Sequence, residues 1–237
     1  MFAGPNGSGK SELKKHLPPA LLGVYLNPDE VEKEIRQQGF LEVSAYAVTT
    51  KAEEVLGFFH HSPFLISAGL AEEAQNLGFA EGRLDFSKVK VTSYFASVLV
   101  DFLRQKLLEQ KVSFTFETVM SHPGKVDLLE QAQRLGYRTY LYFIATDDPT
   151  ISKSRVRSRV SKGGHAVPED KIESRYHRSL DLLMDAIRHT NRAYVFDNSN
   201  EDEDHTWLAE ITDGQQLELK TNKIPAWFKR AVLDKIK

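Results

Sequence analysis

The chain reads as an α/β protein with a P-loop NTPase-type parallel sheet, helices on both faces, a helical insertion and an arginine-bearing lid. Three observations predict this. Gly4-Pro5-Asn6-Gly7-Ser8-Gly9-Lys10-Ser11 matches the G-x-x-x-x-G-K-[ST] phosphate loop. Short apolar runs alternate with longer amphipathic ones over residues 1–40 and 110–196, the rhythm of a parallel sheet with covering helices. At 237 residues with 41% hydrophobic side chains, the chain is long enough for one large domain with a sizeable core.

The elements follow in order. Met1-Phe2-Ala3 is a short remnant of the strand that feeds a phosphate loop; either that strand is truncated or the start lies upstream. Glu12 to Leu17 continues as a helix, stopped by Pro18-Pro19. Gly23-Val24-Tyr25-Leu26 is a short strand. Asn27 then caps a helix with Pro28 at its first position, running to about Gln38 and ending at Gly39. Residues 41–90 form a separate, apolar insertion broken by Pro63, Gly69, Gly78 and Gly82, and helices are expected there. Val91 to Gln110 is a long amphipathic helix, with Val91, Phe95, Val98, Phe102 and Leu107 near helical spacing.

The strand–helix rhythm then resumes. Phe114-Thr115-Phe116 is a strand, 125–135 a helix, 139–144 a strand, 150–160 a basic helix, 169–190 a helix and 193–196 a strand. Beyond the acidic run 201–204, residues 206–211 and 215–220 pair as a hairpin around Asp213-Gly214. A short helix closes the chain from Ala226. The reading is of a single domain, 1–237, with residues 201–237 as a C-terminal extension.

Composition narrows the function classes. With 31 basic and 33 acidic residues the net charge is −2, which gives no footprint for bulk nucleic-acid binding. There are no cysteines, so thiolate metal sites, disulfides and cysteine nucleophiles are excluded. The longest apolar run, Tyr140 to Ala145, is too short to span a bilayer, and the N-terminus lacks the pattern of a signal peptide. A cytoplasmic protein is expected.

The phosphate loop carries the strongest chemistry. Its four fixed positions arise by chance in roughly one chain of this length in a hundred, and a preceding strand with a following helix makes chance rarer still. Gly4, Asn6, Gly7, Ser8 and Gly9 would turn backbone N–H groups toward phosphate oxygens; Lys10 would reach the β- and γ-phosphates and Ser11 would hold Mg²⁺. Asp29 follows a strand and opens a helix, where a carboxylate can take a proton from a substrate hydroxyl or merely complement the helix dipole. Glu117-Thr118 ends a strand with an acid and a hydroxyl, suited to a Mg²⁺-water or an acceptor, or to capping the next loop. Arg155 and Arg159, four apart, share a helix face that Arg157 does not. Arg175 and Arg178 follow on the next helix, across Gly163-Gly164. Two basic helices joined at glycines suit a lid over phosphates, or a solvated basic face. His165 in that turn has no second ligand at metal spacing, and reads as a hydrogen-bonding loop residue.

Taken together, AGPNGSGKS, NPDE, FTFET, RVRSRVSKGGHAVPEDKIESRYHRSL and AYVFDNS, in that order, resemble the zeta-toxin-like P-loop kinases over residues 1–40 and 91–200. The best-known members of that family use ATP to phosphorylate a hydroxyl of a UDP-activated amino sugar. The resemblance implies ATP and Mg²⁺ at Lys10 and Ser11, Asp29 as base, Glu117 and Thr118 at the acceptor or metal site, and a phosphate clamp among Arg155, Arg159 and Arg175. It implies a small-molecule kinase, with a nucleotide-sugar as one acceptor class, and allows an antitoxin or other protein partner that no residue pattern identifies. The chain departs from the family in its near-absent first strand, its segment 41–90 and its longer lid. An ATP-binding module or ATPase switch without an acceptor is the alternative. A GTP switch is disfavoured, because no N-K-x-D motif is present.

Overall fold

The computed structural model describes residues 1–163, 166–200 and 205–236. In chain order its elements are β1 (Phe2–Ala3), α1 (Lys10–Lys15), β2 (Val24–Leu26), α2 (Pro28–Gln38), β3 (Phe40–Glu42), α3 (Ala52–His60), α4 (Pro63–Ser67), α5 (Ala71–Ala74), β4 (Gly78–Ala80) and β5 (Arg83–Asp85). There follow α6 (Ser93–Glu109), β6 (Phe114–Thr118), α7 (Gly124–Arg134), β7 (Tyr140–Ala145), α8 (Pro149–Ser161), α9 (Glu169–Asp181), α10 (Leu183–Arg188), β8 (Arg192–Asp197), β9 (Thr206–Thr212), β10 (Gln216–Leu219) and α11 (Ala226–Ala231). Strand pairing runs β10-β9-β8-β7-β1-β6-β2, with β3-β5-β4 as a separate small sheet. The pairs from β2 to β8 are parallel; β9 and β10 add antiparallel strands beyond β8.

The chain divides into two compact units, residues 1–18 with 117–237, and residues 19–116. In the first, β1 is only two residues long, yet it pairs on both sides, Phe2 with Glu117 and with Tyr142. Both its residues are fully buried, which explains why so short a strand holds its place. One face of β7 and β8 contributes Leu141, Phe143, Ala193 and Val195 to a core with Leu183, Ile187 and Trp227, all without exposure. Within the C-terminal extension, β9 and β10 add two antiparallel strands to this sheet beyond β8. The turn between them sets Asp213 and Gly214 at φ 49° and 69°, the paired positive φ values of a tight hairpin. The expected single helix over 169–190 is interrupted at Leu182 into α9 and α10.

The second unit holds β2, α2, α6 and the whole 41–90 segment. The stripe Phe95, Val98, Phe102 and Leu107 is buried on α6 as its spacing predicts. Arg104 of the same helix is also buried, paired with Asp101 and lying 5.0 Å over the Phe116 ring; burial pushes its pKa down to about 10. The 41–90 segment carries the expected helices, α3, α4 and α5, together with strands that the sequence reading did not foresee. Three strands of three residues each, β3, β4 and β5, pair antiparallel within it, turning at Glu81 and Gly82 with φ 52° and 79°. Strands that short carry too few alternations to register as a period-2 pattern. Phe59, Phe86 and Phe95 pack with ring centroids 6.3 Å apart at the core of this unit. No helix among the described residues is long and apolar enough to cross a membrane.

Candidate functional site

Within the first unit, β1, β6, β7 and β8 all run parallel, so their C-terminal ends lie on one edge. That edge is where ligands bind in open parallel sheets. From it emerge the phosphate loop after β1, Glu117 and Thr118 at the end of β6, α8 after β7, and Asn198 after β8.

The loop is walled by neighbours that leave no room for side chains. A Cβ on Gly4, whose φ is 141°, would sit 1.9 Å from the Ile144 carbonyl oxygen at the end of β7. One on Gly9, φ 97°, would sit 2.3 Å from Asn198 Nδ2 and 2.8 Å from His205 Nε2. Both positions therefore demand glycine on conformational and steric grounds at once. Gly7 abuts Ser152 of α8. Gly9 is the N-cap of α1, so the helix begins where the loop ends. Lys10 Nζ folds back over the loop and donates to the carbonyl oxygens of Gly4 at 2.9 Å and Pro5 at 2.8 Å. Ser11 Oγ donates to Glu117 Oε2 at 3.2 Å.

The residues present fit a magnesium nucleotide. Asn6 Oδ1 and Ser8 Oγ are buried without a hydrogen-bond partner among the described residues. A hydroxyl can rotate and an amide can be read flipped, so both can offer hydrogen to a phosphate oxygen. Ser11 and Glu117 are hard oxygen donors of the kind Mg²⁺ takes beside phosphate and water. No cluster of three or more His, Asp or Glu side chains that could hold a metal occurs among the described residues.

The arginines separate by role. Arg155 and Arg159 line a cavity of about 450 Å³ with Ser158, Lys162 and Gly163, so three cations share one concavity. Arg155 Nη1 also donates to the Asn198 carbonyl at 2.7 Å. Arg157 faces elsewhere, as its spacing predicts, and donates to Glu169 at 2.6 Å; Lys153 likewise pairs with Glu173 at 2.6 Å. Those two pairs join α8 to α9, and the Lys153 hydrogen bond holds the Glu173 carboxyl below its ordinary range. Asp148 caps α8 through Thr150, whose hydrogen bonds hold its carboxyl down as well. Arg175 is half-buried on α9 and does not line the cavity with Arg155 and Arg159. Gly164 and His165, the remainder of the expected hinge, and the acidic run 201–204 lie outside the described residues.

Thr118 uses its hydroxyl to accept from the Met120 N–H at 3.0 Å, so it serves the turn that leaves β6. Met120, buried, takes φ 52°, a conformation that costs a non-glycine residue free energy. Asp29 belongs to the second unit. It is exposed in the first turn of α2, and its N–H donates to the Asn27 cap at 2.9 Å. The structure thus brings the phosphate loop, Glu117, Arg155 and Arg159 together in one unit. It adds Asn198 and His205, which sequence reading missed. Asn198 sits in the AYVFDNS strand end, to which spacing assigned no role, and no sequence pattern pointed to His205.

Comparison with known proteins agrees with this architecture. The zeta toxin family profile matches residues 80–206, more than half of the chain, from the last residue of β4 to the first of β9. An uncharacterized protein of Haemophilus influenzae is 28% identical over 69 residues, covering 29% of this chain and 49% of that protein. The crystal structure of AvrRxo1-ORF1:-ORF2 with ATP superposes with a TM-score of 0.54 at 17% identity, covering 92% of this chain and 60% of that one. The same complex with sulphate ions gives 0.54 at 15% identity, covering 93% and 60%. The chain spans about half the length of the curated relative and 60% of the solved ones. The structural likeness is one of fold, a P-loop kinase-like sheet. The profile match spans α8, α9 and the strand end at Asp197-Asn198-Ser199, and on that match the chain belongs to the zeta toxin family.

Proposed function

We propose that this protein is an ATP-dependent phosphotransferase of the cytoplasm that moves the γ-phosphate of ATP to a hydroxyl of a small molecule, a nucleotide-sugar being the acceptor class the family suggests. The observation that carries the reading is the phosphate loop itself. Glycines are obligatory at Gly4 and Gly9, and Lys10 Nζ rests on the Gly4 and Pro5 carbonyls, within the loop that would receive the phosphates.

Bound there, ATP·Mg²⁺ supplies the phosphoryl group and much of the counter-charge. The chain does the rest. The backbone N–H groups of the loop and the start of α1 face the phosphate oxygens. Lys10 trades its carbonyl partners for phosphate. Ser11 and Glu117 hold the cation directly or through water. Asp29, in the position after β2, takes the proton of the acceptor hydroxyl. Arg155 and Arg159, with Arg175, balance negative charge as it spreads over the transferring group. Thr118 acts on the acceptor side through the turn that it shapes. AvrRxo1-ORF1 is found with ORF2, and a protein partner is proposed for this chain by that likeness.

Lys10→Ala tests the loop. Calorimetry should show ATP affinity falling at least about tenfold, the worth of a lost charge-assisted hydrogen bond; equal affinities would remove the assignment. A screen of nucleotide-sugars, nucleosides and small alcohols with labelled ATP, read by product mass spectrometry, tests the transfer. ATP consumed at one rate whatever acceptor is offered would favour an ATPase switch instead.

A further inference from the structure

We propose that Asn198 and His205 are positioning residues that preset the phosphate-binding backbone from behind, a role that rests on the phosphate-loop reading above. Asn198 Nδ2 donates to the Ser8 carbonyl at 2.8 Å. His205 Nε2 lies 3.2 Å from the Gly9 carbonyl oxygen, which also accepts from the N–H groups of Glu12 and Leu13 at 3.1 Å each. A carbonyl only accepts, so the amide orientation of Asn198 is settled and His205 must carry its proton on Nε2.

The consequence follows from peptide geometry. In a trans peptide the C=O and the next N–H are rigidly coplanar and point opposite ways. Holding the Ser8 carbonyl therefore aims the Gly9 N–H, and holding the Gly9 carbonyl aims the Lys10 N–H. These are two of the backbone donors at the end of the loop where phosphate oxygens are cradled. A glycine-rich loop left to itself samples many orientations, because its residues have the widest backbone freedom. Pinning two consecutive peptide planes removes that freedom before the ligand arrives, and preorganisation of this kind raises affinity without a new ligand contact.

The grip is itself anchored. Asp197, next to Asn198, accepts from Trp227 Nε1 at 2.7 Å and from Ser199 Oγ at 2.9 Å, and Ser199 Oγ in turn accepts from the Asp147 N–H at 2.8 Å. The Asn198 carbonyl receives Arg155 of α8. One residue thus ties the loop on one side and a cavity-lining arginine on the other, while the C-terminal helix α11 holds its neighbour in place.

The test uses the full chain and two probes, Mg·ATP and Mg·tripolyphosphate, the second having phosphates but no nucleoside. Asn198→Leu keeps much of the shape and loses the donor without adding a charge. It should weaken both probes by the same factor, about tenfold for one missing hydrogen bond. His205→Ala should weaken both as well, and His205→Gln, which restores a donor near the Nε2 position, should recover most of the loss. Circular dichroism and melting on the same samples report the folded fraction, so affinities refer to folded protein. If Asn198→Leu does not fold, the His205→Ala and His205→Gln pair decides alone. Unchanged tripolyphosphate affinity in the folded variants overturns the proposal, and so does a loss confined to ATP. Failure of the unaltered protein to bind either probe sinks the phosphate-loop reading, and this role with it.

Discussion

Ser11 Oγ donates to Glu117 Oε2 at 3.2 Å, joining the first turn of α1 to the end of β6 across 106 residues of chain. A hydroxyl and a carboxylate held together at the foot of a phosphate loop are the hard ligands a magnesium ion needs. Ser11→Ala and Glu117→Gln should each raise the Mg²⁺ concentration for half-maximal ATP turnover by about tenfold or more. Melting temperatures should change little, because Ser11 is exposed and Glu117 only half-buried. Magnesium titrations that superpose on those of the unaltered protein would exclude both side chains as ligands.

Asp29 is solvent-exposed, and its N–H, not its carboxylate, serves the Asn27 cap. As a general base, its replacement in Asp29→Asn should leave ATP affinity intact and lower transfer by about 10²-fold or more. As a helix-dipole partner, it would cost only a few tenths of a kcal/mol and leave turnover alone. Single-turnover phosphoryl transfer, measured beside calorimetry, separates the two.

The arginines of α8 should behave differently although they are only two residues apart. Arg159 lines the cationic cavity, whereas Arg157 is spent on an exposed pair with Glu169. Arg159→Ala, and Arg175→Ala on α9, should lower kcat more than they weaken ATP binding, because a guanidinium clamp matures as charge develops on the transferring group. Lysine should substitute poorly at either position, since a point charge cannot fork. Arg157→Ala should leave kcat unchanged and cost less than about 1 kcal/mol in stability, as exposed ion pairs do. A kcat loss in Arg157→Ala equal to that of Arg159→Ala would contradict this division.

Trp227 is fully buried, and its indole N–H bonds to Asp197 beside the loop-gripping Asn198. Trp227→Phe removes that donor and some of the packing against Phe143, whose ring centroid is 6.1 Å away. Chemical denaturation should show a loss of about 1–3 kcal/mol. Unchanged stability would mean that the Asp197 carboxylate finds another donor.

Residue order alone was enough wherever the physics is local. The phosphate loop, the Asn27-Pro28 start of α2, the apolar stripe of α6, the face shared by Arg155 and Arg159, and the Asp213-Gly214 hairpin each rest on neighbours within a turn or two. There, conformational preference and side-chain periodicity act directly. The three-residue strands β3, β4 and β5 escaped that reading because their geometry comes from pairing rather than propensity. The division at 18/19 and 116/117, which parts Asp29 from the loop that precedes it by fewer than twenty residues, is a matter of which cores the helices join. The bond from Asn198 to Ser8 spans 190 residues. Only the packing of β8 beside β7, and β7 beside β1, brings its two ends to the same sheet edge. No local pattern carries such a contact, because its energy is realised only after the strands between have closed the distance.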